Sequence, residues 1–284
     1  MAGAASLASA SDAPGNSAFL ALGDSVVFGY IAADGYAYVN PRNFVGYPEY
    51  VGGDLRLDTA NAACPGETTS SFISLTGDDN GCRPYRASFP LHASYTSTQL
   101  DFATRFLATH KQTRLVTITL GANDGFLLQY RCAINPGPGL TPEQCVLAGI
   151  PALQTLIRSN MTAILRSLRA TGYRGILMVV NYYSVNYQDA AQTGLVVLLN
   201  QTLASVAAAN SAVVADVFTA FQSAATPAAG QTCMVGLLNV NPSSPSPLPP
   251  AATCDDHPSQ SGQQLLADTI VATYQATHAG GKDD

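Results

Sequence analysis

Charge is scarce in this chain. Only 11% of its 284 residues are Asp, Glu, Lys or Arg, less than half of the ~25% usual in globular proteins, and lysine occurs only at Lys111 and Lys282. With a formal net charge of −6, no basic stripe is available to neutralise phosphates, which excludes a nucleic-acid binder. Long apolar runs are also missing. Stretches such as residues 176–180 and 195–199 fall far short of the ~18 residues that a membrane span needs. The low charge therefore describes a neutral surface built from Ser, Thr, Asn, Gln and Ala. Residues 1–16 contain no basic residue and no apolar run, so they do not read as a secretory signal. They are expected to be a disordered start of the mature protein behind an added Met, and residues 279–284 an equally uninformative tail.

Several motifs are absent as well. No Gly-x-Ser-x-Gly elbow occurs, which argues against an α/β-hydrolase nucleophile turn. There is no P-loop, and no Gly-x-Gly-x-x-Gly follows the first strand. Six cysteines are present, Cys64, Cys82, Cys132, Cys145, Cys233 and Cys254. They form no Cys-x-x-Cys pair and have no histidine at finger spacing, so no metal site is expected. An even count on a neutral, polar surface reads as three disulfides in an oxidising compartment, hence a secreted protein whose signal peptide is not part of this sequence. Six cysteines allow fifteen pairings; the economical one joins neighbours, Cys64–Cys82, Cys132–Cys145 and Cys233–Cys254.

What is present alternates between strand and helix. Residues 18–22, 58–63, 115–120, 176–182 and 212–217 read as strands, short and rich in apolar or β-branched residues. Residues 47–55, 98–110, 150–170, 190–210 and 259–277 read as helices, the third opened by Pro151 and closed by Thr171-Gly172. Five strands with intervening helices predict an α/β fold, a parallel sheet covered on both faces. The one low-complexity stretch, 241–250, holds five prolines and is taken as a surface loop between Cys233 and Cys254, not a linker. A single domain is expected over residues 17–278.

Ligands of such sheets bind at the carboxyl ends of the strands, and polar clusters stand there. The first strand ends in Gly23-Asp24-Ser25, the second in Pro65-Gly66-Glu67-Thr68, and the third in Gly121-Ala122-Asn123-Asp124. Asp255-Asp256-His257-Pro258 precedes the last helix. Each alone is ordinary turn or cap chemistry. Together they supply the parts of acyl transfer: a nucleophile, a base, an orienting group and oxyanion donors. Ser25 sits on a tight turn, Gly66 can expose its backbone N–H because no side chain blocks approach, and Asn123 offers a side-chain N–H. Four histidines compete as base. His110 ends a helix, His278 lies near the tail and His92 lies in a loop; His257, flanked by acids at a helix entry, has the best context. Glu67 and Asp124 could be read as a glycosidase carboxylate pair, but are expected to hydrogen-bond the adjacent loops.

With these four blocks in this order, the sequence resembles the SGNH hydrolases, or GDSL esterases/lipases, over nearly its whole length, and within them the secreted bacterial branch with three disulfides. The resemblance implies a flavodoxin-like three-layer sandwich with strand order 2-1-3-4-5, and carboxylic-ester hydrolysis on a small-molecule substrate with no cofactor. It implies Ser25 as nucleophile and oxyanion donor, Gly66 and Asn123 as the other donors, and His257 as base. In one respect the chain departs from the family. The acid usually stands three residues before the histidine, where this sequence has Cys254. If the approach to the helix is extended, side chains alternate. Asp255 then shares the side of His257, Asp256 points away, and Asp255 is the acid expected; Asp256 or a backbone carbonyl are the alternatives. Acyl specificity is expected from Val26, Phe28, Phe126, Leu127, Tyr182 and Tyr183. The substrate expected is an ester of short or medium acyl chain, with a carbohydrate acetylesterase or a non-catalytic binding module as the other readings, and the chain is expected to be a monomer.

Overall fold

The computed structural model describes residues 17–32, 38–244, 246 and 253–280. The 1–16 segment, residues 281–284 of the tail, and residues 245 and 247–250 of the proline-rich stretch fall outside it. Five strands, β1 (Ala18–Gly23), β2 (Asp58–Asn61), β3 (Thr113–Thr119), β4 (Ile176–Val180) and β5 (Val213–Ala215), form one parallel sheet in the order β2-β1-β3-β4-β5. This is the order the resemblance implies. The central strands are buried on both faces, which is why β1 and β4 read as continuous apolar runs and not as alternation.

Helices cover the two faces. On one, α2 (Tyr47–Leu55), α9 (Val217–Ala225) and α10 (Gln260–Gly280) pack together; on the other are α3 (Thr69–Ile73), α5 (Gln99–Thr109), α6 (Ala122–Ile134), α7 (Pro142–Ala170) and α8 (Ala190–Ala209). Two further short helices complete the set: α1 (Ser25–Phe28) follows the turn after β1, and α4 (Cys82–Ser88) follows α3. A separate antiparallel pair, β6 (Leu238–Val240) and β7 (Cys254–Pro258), leads into α10. Among the described residues, α8 alone is long and apolar enough to cross a membrane by length and composition. Its apolar side chains have other employment: the C-terminal half buries Leu203, Val206 and Ala207, and the N-terminal half walls a cleft described below.

Several expected bounds need correction, among them the strands expected over 58–63 and 176–182, which end at Asn61 and Val180. The third long helix begins at Pro142, not at residue 150. Thr141 caps it in a reciprocal box with Gln144, at 3.2 and 3.0 Å, and Pro142 takes the first helical position. Pro151 lies inside this helix on an exposed side, where solvent can meet the carbonyl it leaves unpaired. The strand expected over 212–217 ends at Ala215, because Asp216 caps α9 by accepting from the N–H and hydroxyl of Thr219. The last helix runs to Gly280, three residues past its expected end.

The three disulfides join neighbours: Cys64–Cys82, Cys132–Cys145 and Cys233–Cys254, with Cα–Cα distances of 5.4, 5.6 and 5.7 Å. Among the described residues no cysteine is free. The first bridge clamps the turn after β2, the second ties the end of α6 to the start of α7, and the third anchors β7.

Candidate active site

The site stands at the carboxyl edge of β1, β2 and β3. β1 ends in Gly23 at φ +140°, where an added Cβ would lie 2.0 Å from the carbonyl oxygen of Thr119; only glycine fits. Asp24 then caps α1, its carboxylate accepting from Val26 N–H at 3.0 Å and from the Tyr182 hydroxyl at 2.6 Å. Burial pushes the pKa of Asp24 up to about 6 despite these two bonds. Two buried glutamines hold the turn from either side. Gln99 accepts from Gly23 N–H at 2.6 Å and donates to its carbonyl at 3.0 Å. Gln263 donates to the Val26 carbonyl at 2.9 Å and accepts from Tyr47 N–H at 2.8 Å. Ser25 is thereby fixed at the first position of α1.

His257 Nε2 lies 3.0 Å from Ser25 Oγ. The other histidines are elsewhere. His92 contacts the Phe28 carbonyl at 3.1 Å, His110 stacks on Phe106, and His278 packs against Tyr274. On its far side His257 faces two carboxylates, Asp256 Oδ1 at 3.2 Å and Asp255 Oδ2 at 3.6 Å from Nδ1. Neither meets it with hydrogen-bond geometry, so Nδ1 is buried against two acceptors and bonded to neither. The expectation that Asp256 points away is therefore corrected. Leu238 pairs with Pro258 and Val240 with Cys254, so three residues of β7 oppose the single Asn239 of β6. Residues 255–257 are a bulge, and simple alternation does not apply to them. Asp255 is the more sheltered acid, with its side chain 15% exposed against 48% for Asp256. It also accepts from His257 N–H at 2.9 Å. Burial disfavours the imidazolium, but Asp255, Asp256 and Asp24 together outweigh it, and the His257 pKa is raised above the ordinary histidine value.

The remaining blocks converge on the same edge. Gly66 takes φ +81°, and a Cβ there would lie 2.4 Å from the carbonyl oxygen of Asn80. The N–H groups of Ser25 and Gly66 donate to no described residue. Asn123, in the first turn of α6, donates from Nδ2 to the Glu67 carbonyl at 3.0 Å and accepts at Oδ1 from Asn80 Nδ2 at 2.7 Å. Glu67 and Asp124 brace loops, as expected. Glu67 is bonded by Ser71 and Gln99, and burial pushes its pKa up to about 7. Asp124 accepts from the N–H and hydroxyl of Thr69 at 2.9 and 2.6 Å.

A cleft of about 250 Å³ opens from Ser25, Asn123 and His257 and runs between α6, α7 and α8. Its walls are apolar, with Phe126, Ile150, Leu153, Ile157, Leu195 and Leu199 among them. Of the expected specificity residues, Val26, Phe126, Tyr182 and Tyr183 line it; Phe28 and Leu127 do not. Phe28 is wholly buried against Phe44, Tyr85 and His92. Positions 122, 123, 125, 126, 128 and 129 of α6 line the cleft, and Leu127 turns aside from it. Gln99, Gln263 and Asn80 were not read from the sequence, since a single amide on a helix or loop carries no local pattern.

Comparison with known proteins bears on the fold and the family. The structure is similar to phospholipase A1 from Streptomyces albidoflavus NA297, with a TM-score of 0.55, 18% identity, and coverage of 91% of this chain and 99% of that one. It is also similar to LAE5, an alpha/beta hydrolase enzyme from the metagenome of Lake Arreo, Spain, with a TM-score of 0.51, 14% identity, and coverage of 91% and 95%. At such identities the likeness establishes the fold. No curated protein matches the sequence. The model of the GDSL-like lipase/acylhydrolase family matches residues 21–265, a span that holds every block converging on Ser25, and the chain belongs to that family of carboxylic-ester hydrolases.

Proposed function

We propose that the protein is a serine esterase that cleaves carboxylic esters of short to medium acyl chain through an acyl-enzyme, as a single domain over residues 17–278. The observation that carries this reading is the 3.0 Å contact between Ser25 Oγ and His257 Nε2 at the mouth of an apolar cleft. In the proposed mechanism His257, neutral and protonated on Nδ1, takes the Ser25 proton as Oγ attacks the ester carbonyl. The oxyanion is held by the N–H groups of Ser25 and Gly66 and by Asn123 Nδ2. Collapse expels the alcohol, which leaves with the proton from His257. Water, deprotonated by the same imidazole, then releases the acid and restores Ser25. Asp255 is proposed as the principal partner of Nδ1, with Asp256 adding charge from its more exposed position. Three disulfides support a role outside the cell.

The sign of the pH dependence follows. Only neutral His257 can accept the proton, so turnover falls as pH drops through its pKa. Because that pKa is raised, the acidic limb of kcat/KM is expected above the ordinary value of about 6.5. Asp255→Ala is expected to lower kcat and to move this limb to lower pH. A limb that stays in place in Asp255→Ala, and moves in Asp256→Ala, assigns the partner to Asp256.

Cleft volume and lining bear on the acyl group. An apolar cleft of about 250 Å³ beside Ser25 has room for an acyl chain longer than acetyl. Each methylene buried contributes about 0.8 kcal/mol, or about fourfold in kcat/KM at most. Across a p-nitrophenyl ester series, kcat/KM is expected to climb from acetate to a maximum at medium chain length, with sugar acetates poor substrates. A maximum at acetate together with fast turnover of sugar acetates identifies a carbohydrate acetylesterase, and no turnover of any ester by folded protein identifies a binding module.

A further inference from the structure

Asn123 can stabilise an oxyanion only if its amide nitrogen, not its oxygen, faces the reacting carbonyl. An amide is nearly symmetric in shape, so its neighbours must choose the orientation. One neighbour, the Glu67 carbonyl, accepts from Nδ2 at 3.0 Å. The other is the side chain of Asn80, whose Nδ2 donates to Asn123 Oδ1 at 2.7 Å. The backbone of Asn80 also meets the second donor turn. Its N–H donates to the Gly66 carbonyl at 3.1 Å, and its own carbonyl oxygen lies 2.4 Å from where a Cβ on residue 66 would stand.

The loop that carries Asn80 is itself held firmly. Thr68 donates to the Asp78 carbonyl, Arg83 to the Gly77 carbonyl at 2.8 Å, and Cys82 N–H to Asp79 Oδ1 at 2.9 Å. The Cys64–Cys82 bridge closes the segment two residues beyond Asn80. Yet Asn80 is exposed and contributes nothing to the core, so burial does not explain the role of its side chain.

We infer that Asn80 is a positioning residue for the oxyanion hole: its side chain orients the Asn123 amide while its backbone braces the Gly66 turn. The inference rests on the proposed role of Asn123 and is tested together with it in a double-mutant cycle. Asn80→Ala removes only the side-chain bond, because the backbone contacts with Gly66 remain. It is expected to lower kcat about tenfold, the size of one lost hydrogen bond, with KM and melting temperature unchanged. Asn80→Asp keeps the shape but sets an acceptor against Asn123 Oδ1. It is expected to lower kcat at least as far as Asn80→Ala, the opposite ranking to that of a residue that merely fills space. In the Asn123→Ala background, Asn80→Ala is expected to have no further effect on kcat. An unchanged kcat in Asn80→Ala, a fall in melting temperature that accounts for the loss, or multiplicative effects in the double variant overturns the inference while leaving the role of Asn123 intact. An unchanged kcat in Asn123→Ala overturns the oxyanion role and the inference with it.

Discussion

Ser25→Ala is expected to reduce ester turnover by about 10⁵–10⁶-fold, leaving only the catalysis that binding and oxyanion donors provide without a nucleophile. The fold should survive. Ser25 is only half-buried, and its hydroxyl contacts His257 at 3.0 Å. The turn around it is held by other residues: Asp24 through Val26 N–H and the Tyr182 hydroxyl, Gln99 through both backbone groups of Gly23, and Gln263 through the Val26 carbonyl. Stability should therefore change by no more than about 1 kcal/mol, the net value of one hydrogen bond. Hydrolysis of p-nitrophenyl octanoate, followed beside the thermal unfolding curve, checks both halves. Substantial turnover in the variant removes Ser25 from the reaction.

Asn123→Ala is expected to lower kcat by about 10²–10³-fold, with a much smaller change in KM. Its hydrogen bond to oxygen strengthens as negative charge develops, so the loss falls on the transition state and not on ground-state binding. This variant also carries a structural cost. Asn123 is buried, and truncation leaves the Glu67 carbonyl without its donor, worth about 1–3 kcal/mol of stability. Kinetics should accordingly be measured well below the melting temperature. A raised KM at constant kcat would mean that Asn123 binds substrate without stabilising the oxyanion.

Three of the four candidate blocks were legible because each follows a strand of one parallel sheet, and that architecture delivers strand ends to a common edge. Ser25, Gly66 and Asn123 come from β1, β2 and β3, neighbours in the sheet. His257 was legible by elimination among four histidines. The disulfides were legible only as the economical pairing, which the structure adopts.

What escaped had physical reasons. Phe28 and Leu127 stand beside functional residues in the chain, but a helix distributes consecutive residues over all its sides. Nearness in sequence therefore misplaced them, while Phe126, expected beside them, does line the cleft. The relation of Asp255 and Asp256 to His257 depends on a bulge against Asn239, a property of pairing between two distant segments. Gln99, Gln263 and Asn80 act across 76, 237 and 43 residues of chain, so nothing in their local pattern announces them. The start of α7 was obscured because Pro151 imitates a helix opening, while the real one, Thr141-Pro142, lies in a stretch of weak apolar period.

The claim on which the account depends is that Ser25 is the nucleophile activated by His257, and covalent labelling tests it most directly. Active protein should be treated with an alkyl p-nitrophenyl phosphonate and digested, and the site of phosphonylation read by mass spectrometry. The account predicts one adduct per chain, on Ser25, formed in step with loss of esterase activity and absent from Ser25→Ala. An adduct on a different serine, or complete inactivation with Ser25 unmodified, would contradict it.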